Sequence, residues 1–387
     1  MAPLPLTLYV HLPWCVRKCP YCDFNSHALI GDLPEHTYIP SLLADLDAEA
    51  ARAEGRPVHA IFFGGGTPSL FSAQAIGAVL DRAASQLALT EDCEVTLEAN
   101  PGASEFGRFA GYHTAGVNRL SLGIQSFDNA MLTALGRIHD SAEAGQAIDA
   151  AARAGFARIN LDLMHGLPGQ TPAGAAADLD RALAYDTGHQ SWYQLTLEPN
   201  TAFHHSPPAL PDDDSLARIQ DAGTERLAAA GYAQYEVSAW ARPGEESRHN
   251  LNYWRFGDYL GVGAGAHGKL TGVDGRVVRR WKLRHPRAWA NPAAPKIDGE
   301  QRLDAQTLRF EFMLNALRLR EGFEESLFHE RTGLEILSDE TPWREARTRG
   351  LLECVDRRWR ATELGWRFLD DLQTLFLPHP TQGNTLI

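Results

Sequence analysis

Residues 6–22 read Leu-Thr-Leu-Tyr-Val-His-Leu-Pro-Trp-Cys-Val-Arg-Lys-Cys-Pro-Tyr-Cys, an apolar run leading into three cysteines spaced CxxxCxxC. Leu6–Leu12 has the length and apolar content of a buried strand, which places Cys15, Cys19 and Cys22 on the loop that leaves it. The same alternation recurs down the chain. Strands are expected at Ala60–Phe63, Glu94–Ala99, Arg119–Gln125, Arg158–Met164 and Trp192–Leu197. The segments between them are long enough for crossover helices, and Ala142–Ala154 and Ala173–Leu183 carry Ala and Leu at helical spacing. Repeated strand–helix–strand units pair in parallel through right-handed crossovers. Six of them predict an α/β fold, an open, partial (β/α)6 barrel.

The polar and Gly-rich motifs fall just after strands. The cysteines follow the first, Gly64–Pro68 the second, and Glu98 ends the third. Gln125 closes the fourth and Asp162–Pro168 the fifth. In parallel α/β folds the C-terminal strand ends carry the site, so everything chemical is expected on one face of one sheet.

Residues 1–240 are read as this barrel, 241–300 as a connecting segment and 301–387 as a small C-terminal α+β domain of winged-helix type. Thr201–Asp214, with three prolines and three consecutive Asp, reads as a loop, and Leu216–Gly231 as a helix ended by glycine. A loop-rich stretch is expected to about Pro295. Helical periodicity returns in Leu308–Leu319, and Leu351–Arg360 followed by Ala361–Asp371 reads as a hairpin and a helix.

The chain is 44% hydrophobic and 22% charged, and its formal charge of −13 argues against a broad polyanion-binding surface. Nucleic acid is therefore not expected as a partner, and the C-terminal domain reads as structural or partner-binding rather than DNA-binding. A local basic patch, Arg279, Arg280, Lys282 and Arg284, is either a solvated face or a place to meet a carboxylate-bearing ligand. No secretory segment and no membrane-length apolar run is found, so a cytoplasmic protein is expected. Room is left for peripheral membrane contact and for a homodimer.

Five cysteines are present, three within eight residues, which makes a poor disulfide framework and a good metal-binding one. Cys93 and Cys354 sit among apolar residues and read as buried, inert thiols. Three close thiolates without a second pair fit a four-iron cube that keeps one iron free of protein ligands. Zinc completed by a remote histidine is the other reading.

CxxxCxxC on a loop after the first strand resembles the signature of the radical S-adenosylmethionine enzymes. That resemblance implies a [4Fe-4S] cluster on Cys15, Cys19 and Cys22. Its open iron would take the amino and carboxylate groups of S-adenosylmethionine, and cluster reduction would yield a deoxyadenosyl radical. It also implies that Tyr21 packs on the adenine and that Gly65, Gly66 and Thr67, within the family's GGGTP stretch, bind the methionyl amino group. Tyr9, Glu98, Gln125, Arg137 and Asp162 match further positions that bind this cofactor in relatives.

Leu8–Cys22, Phe62–Ser69, Gly116–Asp128 and Asn160–Gly169 together resemble oxygen-independent coproporphyrinogen III oxidase and its homologues. The oxidases carry a fourth cysteine two residues after the third, where this chain has Phe24. The stretch CPYCDFNSH and the motif His249-Asn250-Leu251-Asn252-Tyr253-Trp254 instead resemble the heme chaperone branch of that family. This implies heme as a ligand and a heme-acceptor protein, such as a respiratory enzyme, as partner. Within the motif, His249 is the expected axial ligand, flanked by Tyr253 and Trp254 as packing surfaces; His11, His27, His204, His205 and His267 are further candidates. Oxidative decarboxylation of a porphyrinogen is the alternative that the shared cofactor pocket supports.

Overall fold

A computed structural model describes residues 4–337 and 340–378; residues 1–3, 338–339 and 379–387, at the chain ends and within the expected C-terminal domain, lie outside the described residues. Strand β1 (Leu6–Leu12) pairs in parallel with β2 (Pro57–Gly65). Strands β3 (Ala88–Ala99), β4 (Arg119–Gln125), β5 (Arg158–His165) and β6 (His189–Gln194) follow across the sheet in chain order, all parallel. Helices including Glu35–Ala50, Ala73–Gln86, Ser141–Arg153 and Pro172–Leu183 make the crossovers. Their starts are written locally. Ser72 and Thr171 each accept an N-terminal backbone N–H, and Asp140 forms a reciprocal cap with Glu143.

Strand β1 shows why the barrel forms. Leu6, Leu8, Val10 and Leu12 are wholly buried against the helix layer, each worth about 1.5–3 kcal/mol. The alternate residues Thr7, Tyr9 and His11 project to the other face, into the barrel interior. The expected bounds of β1 and β4 match, whereas β2 and β3 begin earlier because their first residues are polar or exposed. Strand β6 lies at His189–Gln194, not Trp192–Leu197. Its start is hidden by the polar residues His189, Gln190 and Ser191; His189 Nδ1 lies 2.6 Å from Asn160 Oδ1, which also accepts from Ser191 Oγ at 3.1 Å.

The stretch expected to be loop-rich up to Pro295 is largely sheet. Strands β7 (Ala233–Glu236) and β8 (Ala239–Ala241) extend the sheet beyond β6. Strand β9 (Asp258–Val262) runs parallel to β1 on its other side, and β10 (His267–Thr271), β11 (Val277–Lys282) and β12 (Ile297–Arg302) continue antiparallel. The sheet thus has twelve strands, ordered β12-β11-β10-β9-β1-β2-β3-β4-β5-β6-β8-β7. These added strands are short, interrupted by glycine and rich in charge, so hydrophobic periodicity does not announce them.

Beyond the sheet, a second core gathers Phe312, Phe328, Trp343, Trp359 and Phe376 from the C-terminal region, together with Phe256 and Val277 from the sheet extension. The hairpin Leu352–Val355 with Arg358–Ala361 appears where expected. Cys354 is exposed rather than buried: it lies beside the Asp356–Arg357 turn, where the ribbon leaves the core. Cys93 is buried. Among the described residues no helix is long and apolar enough to cross a membrane.

Lys282, at the end of β11, is buried, and its Nζ donates to Asp45 Oδ1 at 2.6 Å and to Glu49 Oε1 at 2.7 Å on the first helix. Asp45 also accepts the Gly263 N–H at 3.0 Å. This ion triad ties the sheet extension to the barrel. Lys282→Met would leave Asp45 buried without a cation and Glu49 with Arg52 alone, and an expected loss of about 3–5 kcal/mol would be read from the urea unfolding midpoint; an unchanged midpoint would show that the triad does not join the two parts.

Candidate functional site

At the C-terminal end of the parallel strands lies a cavity of about 270 Å³ lined by Cys15, Cys19, Cys22, Tyr21, Gly65, Gly66, Thr67, Glu98, Gln125, Arg137 and Asp162. Eleven of the thirteen residues singled out from the sequence therefore meet in one place; Tyr9 and His249 are the two that do not. The cysteine loop leaves β1 and is held from below. Gly66 N–H donates to Leu12 O at 2.8 Å and Thr67 N–H to Trp14 O at 2.7 Å. The glycines are needed for that packing. Gly65 has φ +114°, and a Cβ there would come within 2.5 Å of the His11 ring; at Gly66 it would come within 2.5 Å of the Trp14 carbonyl. Besides the ligand contact expected of Gly65 and Gly66, the structure gives them a second task, support of the cysteine loop.

Arg137 is the polar centre. Its Nη2 donates to Gly123 O at 2.8 Å and to Asn100 Oδ1, and its Nη1 points at Cys19 Sγ, 3.7 Å away. Asn100 Nδ2 in turn donates to Thr67 Oγ1 at 2.9 Å. Gln125 adopts φ +67°, a left-handed conformation that costs a non-glycine residue on the order of 1 kcal/mol or more, and its Oε1 accepts the Tyr193 hydroxyl at 2.8 Å. Asn100 and Tyr193 were missed from the sequence. Asn100 sits two residues beyond Glu98 and Tyr193 on the mis-bounded β6, so proximity to a strand end was the available signal.

Two buried carboxyls close the floor. Asp162 accepts from Ser121 Oγ at 2.9 Å and Asn160 Nδ2 at 2.8 Å, and burial raises its pKa. Glu98 accepts the Gly65 N–H at 3.3 Å, and burial, with the Asp162 charge adding to it, pushes its pKa up to about 8. Burial likewise pushes the Cys15 thiol up to about 11.

A second, larger cavity of about 920 Å³ adjoins the first; Phe24, Gly65 and Glu98 line both. Its walls carry Tyr9, His11, His249, Tyr253, Tyr259, His267, Trp281 and Arg284. His249 lies on the helix Arg248–Trp254, stacked on Phe62 at 4.9 Å and Tyr9 at 6.1 Å between ring centroids. Burial lowers its pKa to about 4, and its Nδ1 is buried without a hydrogen-bond partner. Both nitrogens of His11 are engaged, Nδ1 by the Tyr9 hydroxyl and Nε2 with Asn25 O, each at 2.9 Å. Tyr253 lines the cavity as expected, but Trp254 does not, because its ring packs under the Arg318 guanidinium at 4.3 Å. His204 and His205 lie on a short helix away from both cavities. Asn25 fastens the rim, donating to Ala264 O and Arg284 O at 3.0 Å each.

Residues 9–182 match the radical SAM superfamily and residues 303–368 the HemN C-terminal domain. The chain is 50% identical over 376 residues to the heme chaperone HemW of Escherichia coli, covering 96% of this chain and 98% of that one. It is 47% identical over 384 residues to the heme chaperone HemW of Haemophilus influenzae, with coverage of 96% and 98%. The chain belongs to the HemW family. A solved structure described as coproporphyrinogen III oxidase (HemN) from Escherichia coli, a radical SAM enzyme, shares the fold at a TM-score of 0.81 and 20% identity, over 97% of this chain and 90% of that one.

Radical SAM membership implies a [4Fe-4S] cluster and S-adenosylmethionine for a HemW-family chain. The donor set fits. Among the described residues no three His, Cys, Asp or Glu side chains converge on a single metal ion, whereas a four-iron cube takes spaced thiolates, each on its own iron. Arg137 places a cation beside the thiol that would become anionic. Because Glu98 is largely protonated at pH 7, a cationic ligand bound beside it favours the ionised form. Binding of S-adenosylmethionine to cluster-loaded protein is expected to release a proton at pH 7 and much less at pH 9, where Glu98 is already ionised. Calorimetry in buffers of different ionisation heat reads this release, and Glu98→Gln should abolish it; equal release in both proteins would remove Glu98 as the source.

Proposed function

We propose that this chain is a heme carrier: it takes heme into the larger cavity and passes it to a heme-acceptor protein, such as a respiratory enzyme. A [4Fe-4S] cluster on Cys15, Cys19 and Cys22 and S-adenosylmethionine occupy the adjoining cavity. Family membership supports this reading, and one observation carries it. An aromatic-walled cavity of about 920 Å³, in the size range of sites that enclose a small organic ligand, opens beside the cysteine loop and contains a neutral histidine. His249 is the proposed axial ligand, because it lines the cavity and its ring makes no hydrogen bond among the described residues, while both nitrogens of His11 are engaged. Tyr21, Gly65, Gly66, Thr67, Glu98, Gln125, Arg137 and Asp162 contact S-adenosylmethionine in this reading, and Tyr9 supports His249 from the shared wall.

When bound, the cluster supplies one-electron chemistry. The chain's own residues shape the pocket, set the charge around it and keep the two cavities side by side. Phe24 stands where the oxidases carry a further cysteine, and its half-exposed ring lines both cavities, so no thiol is available at that point. This favours carriage over porphyrinogen decarboxylation.

Anaerobic titration of cluster-loaded protein with heme, followed by gel filtration, is expected to give saturable ligand that co-elutes with the chain. His249→Ala should lower the affinity about tenfold or more. No retained heme in the wild type would sink the carrier reading.

A further inference from the structure

The basic patch read from the sequence divides sharply in the structure. Arg279 Nε donates to Glu311 at 2.8 Å, Arg280 pairs with Glu300, and Lys282 is buried between Asp45 and Glu49. Three of the four cations are thus neutralised by carboxylates of the chain itself. Arg284 is the exception: among the described residues it has no carboxylate partner, and it lines the larger cavity.

Its surroundings are built to hold it there. The Arg284 carbonyl accepts from Asn25 Nδ2 at 3.0 Å, and its neighbour Leu283 bridges the backbone to Gly265 and Lys296. Across the same wall stands His267, directly opposite Trp281 in the antiparallel pairing of β10 and β11. The two rings stack at 6.4 Å with 25° between planes, and Trp281 lies over Gly299, where a Cβ would come within 2.1 Å of the indole. Neither ring nitrogen of His267 has a hydrogen-bond partner among the described residues. Desolvation, with the Arg279 and Arg284 charges, lowers its pKa, and the ring keeps an N–H to donate. Asp298 also lines the cavity, but no ion pair joins it to Arg284.

An unpaired guanidinium beside an unpaired imidazole N–H is a receptor for a carboxylate. Aromatic side chains supply the rest of the wall. We infer that Arg284, assisted by His267, grips a carboxylate of an amphipathic, ring-shaped ligand whose apolar body lies against Tyr253, Tyr259 and Trp281. Resting on the heme-carrier reading, this makes the gripped group a heme propionate. The grip sets the ligand's orientation and favours porphyrins with free acids over esterified ones.

The test compares ferric heme with its dimethyl ester on anaerobic, cluster-loaded full-length protein, measuring ligand retained after gel filtration. Wild type is expected to bind heme about ten- to a hundredfold more tightly than the ester. Arg284→Gln should lose that preference, weakening heme far more than the ester, Arg284→Lys should recover part of it, and His267→Gln should narrow it. Wild-type protein that binds heme and ester equally would overturn the inference while leaving the carrier reading intact. So would Arg284→Gln weakening both ligands alike. Wild-type protein that retains neither ligand would overturn the carrier reading and this inference with it.

Discussion

The cysteine loop rests on a piece of chain that has no side chains. Gly65 and Gly66 pass so close under His11 and the Trp14 carbonyl that a methyl group at either would collide with them. Two backbone hydrogen bonds then fix the loop to the strand end. Everything chemical depends on that contact. It sets the height of the three thiols over the sheet and turns His11 toward Tyr9 and Asn25, and through His11 it shapes the wall shared with the second cavity. Strand β1 can supply this platform because it is buried on both faces, one anchored in the helix layer and one free to carry Tyr9 and His11 inward.

The electrostatics are arranged around a deficit. Glu98 and Asp162 are held where desolvation favours the neutral acid, and Arg137 Nη1 lies 3.7 Å from Cys19 Sγ. The two acids can answer an incoming cation by letting go of a proton. The ion triad of Lys282 with Asp45 and Glu49 follows a different logic, since its groups are paired with one another inside the protein. One arrangement serves a ligand and the other holds the molecule together.

The barrel was legible from the chain because its strands are apolar runs separated by helices, and the cysteine loop, glycine stretch, Glu98 and Gln125 sit at strand ends, whereas Asp162 lies inside β5, three residues before its end. What was not legible is what surrounds the second cavity. Strand β9 joins the sheet beside β1, and no periodicity tells a strand near residue 260 that its partner lies near residue 8. Its continuation carries Arg279, Arg280 and Lys282, whose charges look like solvent-facing residues until their partners on distant segments are seen. Cys354 misled in the opposite sense, since apolar neighbours in sequence need not be neighbours in space at the tip of a ribbon. The side-chain direction of Trp254 was likewise set by Arg318, more than sixty residues on.

Asn25 fits against Gly265 so tightly that a Cβ there would approach its Nδ2 to 2.0 Å, while its amide holds the carbonyls of Ala264 and Arg284. Three segments that are far apart in the chain are therefore inherited as one part. A lineage that enlarges residue 265 must give up Asn25, and with it the register between the cysteine loop and the outer strands. Chimeras that exchange the loop between relatives will keep their shape only when position 25 travels together with position 265.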